Sequence, residues 1–160
     1  MDYLEEGSFA PDFELQTPGG VSLKLSEAIR SGPLALVFYK SSCPTCQLTF
    51  PFIQDIFAAL AGDSRPHIWG ISQDEAEETR QFIDELGLEF PIGIDEHPYP
   101  VSSSYELRFV PTLYLIDREQ RIRMSDYGFS KSALNTIANE LAEELSCPAP
   151  SVFSANDDLP

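Results

Sequence analysis

Leu34-Ala35-Leu36-Val37-Phe38-Tyr39 is an unbroken apolar run of strand length, and it leads directly toward Cys43-Pro44-Thr45-Cys46. A strand that is apolar at every position is one covered on both faces of a sheet, because successive side chains point in opposite directions. From Pro44 the apolar positions Leu48, Phe52, Ile56 and Leu60, with Ile53 and Phe57 beside them, recur at helical spacing, and Gly62-Asp63 supplies the stop. The C-x-x-C pair therefore stands at a strand-to-helix junction.

The flanking sequence extends this pattern. Residues 12–24 alternate apolar and polar on both sides of Thr17-Pro18-Gly19-Gly20, which predicts a hairpin, followed by a short amphipathic turn at Leu25 to Arg30. His67-Ile68-Trp69-Gly70-Ile71 is a second buried-strand candidate, and Asp74-Glu75-Ala76-Glu77 fits a capping box opening a helix with Phe82, Ile83 and Leu86 inward and its end at Gly87. Phe90 to Ile94 is short and strand-like, whereas Asp95 to Ser104, with Pro98 and Pro100, reads as loop. Thr112 to Asp117 and Ile122 to Met124 flank the polar turn Arg118-Glu119-Gln120 and predict an antiparallel pair. Ser130 suits the N-cap of a last helix facing inward with Leu134, Ile137, Ala138, Leu141 and Leu145. Strands alternating with helices and closing on a hairpin and a helix specify an α/β fold, a central mixed sheet covered on both faces. Residues 1–146 read as one domain and residues 147–160, aperiodic and proline-marked, as a tail.

Composition narrows the function. Ten Lys and Arg against 26 Asp and Glu give a net charge of −16, which repels phosphate backbones and anionic lipid surfaces. Nucleic-acid and membrane partners are therefore not expected. The N-terminus, Met1 to Glu6, has neither the basic start nor the apolar stretch of a signal peptide, so the expected compartment is the cytoplasm. With three cysteines in 160 residues the chain is no disulfide scaffold, and the Cys43/Cys46 spacing points to chemistry or metal.

Thiol chemistry needs a thiolate, and a free cysteine is mostly protonated at neutral pH. If the helix begins at Pro44, which has no N–H to leave unpaired, Cys43 is its N-cap. Its sulfur would then face the free N–H groups of Thr45 and Cys46 and the positive end of the helix dipole. Cys43 is on this reasoning the attacking thiol. Cys46, one turn inside and more buried, is placed to resolve a mixed disulfide on Cys43. Lys40 either adds positive charge nearby or is solvated, depending on strand phase. A zinc site would need four ligands, and only Cys147, His67 and His97 remain, scattered along the chain. Two inert buried cysteines are the remaining alternative to redox chemistry.

With these residues in view the chain resembles the thioredoxin superfamily. It is similar to the branch with an N-terminal hairpin shared by thioredoxin-like thiol-disulfide oxidoreductases and the peroxiredoxins of the alkyl hydroperoxide reductase/thiol-specific antioxidant group. The resemblance runs from about Ala10 to Leu145 and rests on Ala10-Pro11-Asp12-Phe13, Cys43-Pro44-Thr45-Cys46, Pro51 within the following helix, Arg108-Phe109-Val110-Pro111-Thr112, and Gly128 with Ser130-Lys131. It implies a thioredoxin-like fold with a cis bond between Val110 and Pro111, whose backbone would pair with an extended substrate segment. It further implies disulfide exchange with protein substrates, no cofactor or metal, and a reductant or oxidant partner that resets the dithiol.

The peroxiredoxin motif Pro-x-x-x-Thr-x-x-Cys, placed on Cys46, finds Tyr39 at its proline and Cys43 at its threonine, and Pro111 stands where the arginine belongs. A thiol peroxidase is thus the second expectation, and a redox-responsive binding protein the third. Common thioredoxins differ too: this chain has Ser42 before the first cysteine, Pro44-Thr45 between the pair, and Val37 in place of a buried proton-relaying Asp. Phe109 replaces a glycine and either narrows the substrate groove or packs in the core. Cys147 is a spare thiol or a second resolving thiol. His67 and His97 read as structural or solvated, and Trp69 reads as core. The acidic run from Asp74 to Glu78 suits a helix N-terminus, with a basic partner as the alternative.

Overall fold

The computed structural model describes residues 3–60 and 62–150. Strands β1 (Glu14–Gln16) and β2 (Ser22–Lys24) form the expected hairpin, followed by the single turn α1 (Leu25–Ala28). Then come β3 (Leu34–Tyr39), α2 (Pro44–Ala59), β4 (Ile68–Ser72), α3 (Ala76–Leu86), β5 (Ile92–Ile94), α4 (Pro100–Ser104), β6 (Thr112–Ile116), β7 (Ile122–Tyr127) and α5 (Lys131–Glu144). They build one seven-stranded sheet in the order β2-β1-β5-β4-β3-β6-β7. The central β3, β4 and β5 are parallel, while β6, β7 and the hairpin run antiparallel to their neighbours.

Why β3 is apolar throughout is now visible. Ala35, Val37 and Tyr39 enter one core with Cys46, Phe50 and Ile53 of α2, Phe82 of α3 and Leu134, Ile137 and Leu141 of α5. Leu34, Leu36 and Phe38 enter a second core on the opposite face with Leu25, Trp69, Tyr105 and Tyr114. Both cores are rich in rings, with Tyr39 4.6 Å from both Phe50 and Phe82 and Phe38 5.2 Å from Tyr105. Offset and edge contacts of this kind add about 0.5–1.5 kcal/mol per pair to simple burial.

The structure corrects the sequence reading in several places. Asp74 does not open a capping box: Glu75 is the N-cap of α3 without a side-chain bond, and the Asp74 carboxylate turns instead to the Ser41 N–H. The segment from Asp95 to Ser104 holds α4, because the fully buried Asp95 carboxylate takes the Val101 and Ser102 N–H groups and the Ser102 hydroxyl. Pro100, expected to break structure, occupies a first-turn position where its missing N–H costs nothing. On α2 the inward face includes Thr49 and Phe50, while Leu48 and Phe52 are only half-buried. Strand β7 runs three residues past Met124, to Tyr127. Of the expected tail, residues 151–160 lie outside the described residues. Cys147, in contrast to a free tail, donates its N–H to the Ala142 carbonyl and sits half-buried against the core.

Candidate active site

Where β3 hands over to α2, the backbone turns through Ser41 and Ser42, with the Cys43 N–H bonded to the Lys40 carbonyl at 3.2 Å. Cys43 is the N-cap of α2 in extended conformation, with Pro44 opening the helix. Its sulfur accepts the Cys46 N–H at 3.3 Å; the second donor expected from the sequence, Thr45, does not take part. Thr45 contributes instead a carbonyl that accepts the Thr49 hydroxyl at 2.7 Å, stiffening the first turn. Cys43 is half-buried and Cys46 fully buried, and both are free thiols, as is Cys147.

The two sulfurs sit in unlike surroundings. Burial, with smaller contributions from Cys43 and the Asp74 carboxylate, pushes the Cys46 thiol well above the usual cysteine range, against the lowering effect of the Lys40 backbone N–H. Cys43 instead lies at a helix N-terminus, where aligned peptide dipoles favour negative charge.

Residues far away in sequence complete the site. The Val110 carbonyl lies 3.5 Å from the Cys43 sulfur and the Val110–Pro111 bond is cis. A second cis bond joins His97 to Pro98. Beside Val110, Phe109 is 46% exposed and stacks on Tyr127, itself 49% exposed, at 5.3 Å and an interplanar angle of 25°. Phe109 is therefore not a core residue. The Lys40 ammonium lies 5.6 Å from the centroid of the Tyr99 ring, so what Lys40 brings to the dithiol is its backbone.

The remaining candidates lie elsewhere. Trp69 is buried against Phe13 in the second core. His67 is buried 3.6 Å from Asp63, and His97 packs edge-on against Tyr99. Among the described residues no group of three or more His, Cys, Asp or Glu is arranged to hold a metal ion, and no helix is long and apolar enough to cross a membrane. Sequence reasoning missed two polar groups of the site loop. Asp74 accepts the Ser41 N–H at 2.8 Å, and the Gln47 side chain donates to the Ser41 carbonyl at 2.8 Å.

Comparison with known proteins follows this geometry. The protein "Thiol-disulfide oxidoreductase ResA" of Halalkalibacterium halodurans is 32% identical over 117 residues, covering 72% of this chain and 65% of its own length. "Protein DipZ" of Mycobacterium bovis is 25% identical over 98% of this chain, which spans only 24% of that much longer protein. Among solved structures, that of a putative protein disulfide isomerase from Bacteroides thetaiotaomicron superposes with a TM-score of 0.81 at 25% identity, covering 91% of this chain and 95% of the other. The fold is thioredoxin-like, a mixed sheet with helices on both faces. The sequence pattern of the AhpC/TSA family matches residues 7–125, from the segment before β1 into β7, and the protein belongs to that family.

Proposed function

We propose that the chain is a thiol-disulfide oxidoreductase acting on protein disulfides, with Cys43 as nucleophile and Cys46 as resolving thiol. The observation that carries this reading is the Cys43 sulfur on the N-cap of α2, held by the Cys46 N–H, with Cys46 buried one turn behind it. A sulfur so placed is the one a substrate disulfide can reach, since Cys43 is half-buried and Cys46 fully buried.

In the first step the Cys43 thiolate attacks one sulfur of a substrate disulfide, forming a mixed disulfide and releasing the other substrate sulfur as a thiolate that takes up a proton. In the second, Cys46 loses its proton and attacks the Cys43 sulfur, closing the Cys43–Cys46 disulfide and releasing the reduced substrate. A dithiol partner then reduces that disulfide; an oxidising partner drives the cycle in reverse. The edge at Val110 and Pro111, beside the Cys43 sulfur, is where an extended substrate segment would pair its backbone. Pro44 and Thr45 keep the first turn of α2 in the conformation that caps the sulfur.

Insulin reduction coupled to a dithiol donor tests the assignment. Cys43→Ser abolishes turnover, and Cys46→Ser accumulates a mixed disulfide visible by mass spectrometry. Full turnover by Cys43→Ser refutes the reading.

A further inference from the structure

The position six residues before Cys43, which holds a proton-relaying acid in common thioredoxins, is the fully buried Val37 here, so no carboxylate reaches the dithiol from that point of β3. Another carboxylate approaches from a different element. Asp74, in the loop between β4 and α3, accepts the Ser41 N–H at 2.8 Å, and from the other side Gln47 of α2 donates to the Ser41 carbonyl at 2.8 Å. Ser41, two residues ahead of Cys43, is thus gripped at both of its backbone polar groups by side chains from two separate elements.

Asp74 is itself held in place. Its N–H bonds to the Ser72 hydroxyl at 3.0 Å, and Ser72 meets the Thr79 hydroxyl at 2.8 Å. Thr79 spends its proton on the Glu75 carbonyl at 2.7 Å, so Ser72 is the donor between the two hydroxyls. An ordered chain therefore runs from α3 through Ser72 and Asp74 to Ser41 and into α2. Ser72 is paired in register with Tyr39, whose fully buried hydroxyl has no hydrogen-bond partner of normal geometry.

We propose that Asp74 is a positioning residue of the dithiol, fixing through Ser41 the turn that delivers Cys43 to the helix N-terminus. This rests on the oxidoreductase reading above and names the residue that anchors the turn ahead of the dithiol. Burial is the largest cause that raises the Cys46 thiol, and the Asp74 charge adds a smaller contribution in the same direction. Cys46 is faced by Cys43 on its own helix, by the Lys40 backbone just past the end of β3, and by Asp74 from the β4–α3 loop.

Two variants separate the charge from the hydrogen bond. Asp74→Asn keeps an acceptor for the Ser41 N–H but removes the charge; Asp74→Ala removes both. If the anchored turn positions the cap, amide hydrogen exchange at Cys46, whose N–H the Cys43 sulfur accepts, accelerates several-fold in Asp74→Ala and stays slow in Asp74→Asn. Amide hydrogen exchange at Ser41 remains slow in Asp74→Asn and accelerates at least tenfold in Asp74→Ala. Unchanged Ser41 exchange in Asp74→Ala overturns the anchoring of the turn, and unchanged Cys46 exchange there overturns the positioning of Cys43. If Asp74→Ala does not fold, Asp74→Asn decides, because accelerated exchange at Ser41 or Cys46 in that variant overturns the proposal. Neither readout uses insulin, so failure here is distinct from failure of the Cys43 assignment.

Discussion

The Cys43 sulfur lies 3.5 Å from the carbonyl oxygen of Val110, a residue 67 positions further along the chain. The contact exists only while the sulfur carries its proton, since a thiolate has nothing to donate. Ionisation of Cys43 therefore frees a backbone acceptor beside the reactive atom, at the edge where the substrate segment is proposed to pair.

Phe109 and Tyr127 form an exposed stack next to that edge. Replacing Phe109 by Ala costs less than about 1 kcal/mol of stability, because an exposed ring gives up little burial. On the proposed function it raises KM for insulin several-fold with kcat unchanged, and leaves reduction of hydroxyethyl disulfide, too small to reach the stack, as in the parent. Steady-state kinetics on both substrates checks this; equal losses on the two would place Phe109 in the chemical step.

The Tyr39 hydroxyl is fully buried without a partner of normal geometry, and burial raises the phenol above its ordinary range. Tyr39→Phe removes a group that gained nothing for its lost water, and stabilises the fold by about 1 kcal/mol in urea titrations at pH 7. Cys46, Tyr105 and Tyr114 are likewise raised by burial. Groups raised in the folded state hold their protons more tightly there than in the unfolded chain. Their stabilisation is complete below the ordinary cysteine and tyrosine values and is lost as pH climbs beyond about 9 to 10. Tyr39→Phe accordingly loses less stability between pH 8 and pH 11 than the parent.

On the acid side His67 behaves in the opposite sense. Burial lowers its pKa, partly offset by Asp63. A lowered histidine is charged in the unfolded chain before it is charged in the folded one, so stability is full above about 6.5 and declines as pH falls below that value. Denaturation midpoints drop between pH 7.5 and pH 5.5, and the drop is smaller in His67→Gln. A flat profile for the parent across this window contradicts the assignment.

Ser130 caps α5 by accepting the Ala133 N–H at 3.1 Å, and its own hydroxyl bonds to Asp126. Ser130→Ala costs about 1 kcal/mol, measured as a shift of the urea midpoint, and Ser130→Asp recovers part of it.

Which of these features could be read from the sequence follows from the range of the interactions. Cys43, Pro44 and Ser130 were legible because a helix cap is a contract among neighbours within four residues. The placement of Leu34 to Tyr39 was legible because a doubly covered strand has no polar position to hide. Asp74 was misread for the same reason in reverse: with Glu77 three residues on, it satisfies a local rule, yet its carboxylate is claimed by Ser41 from 33 residues away. Asp95 hid the one-turn α4 similarly, since two nearby prolines signal a loop while the buried acid that organises it looks like any loop Asp. Phe109 resisted assignment because one aromatic residue before a proline says nothing about which neighbour strand will offer a ring.

The sheet's borders bear on how this chain behaves in a crowded solution. At one border stands β2, only three residues long, too short a ladder for another molecule to zip onto. At the other, the Gly7 and Ala10 amides bond to the carbonyls of Ile122 and Gln120, and the Ile122 amide to that of Ser8, covering the start of β7. Fibril growth by strand stacking is thereby denied a long flat template at either end.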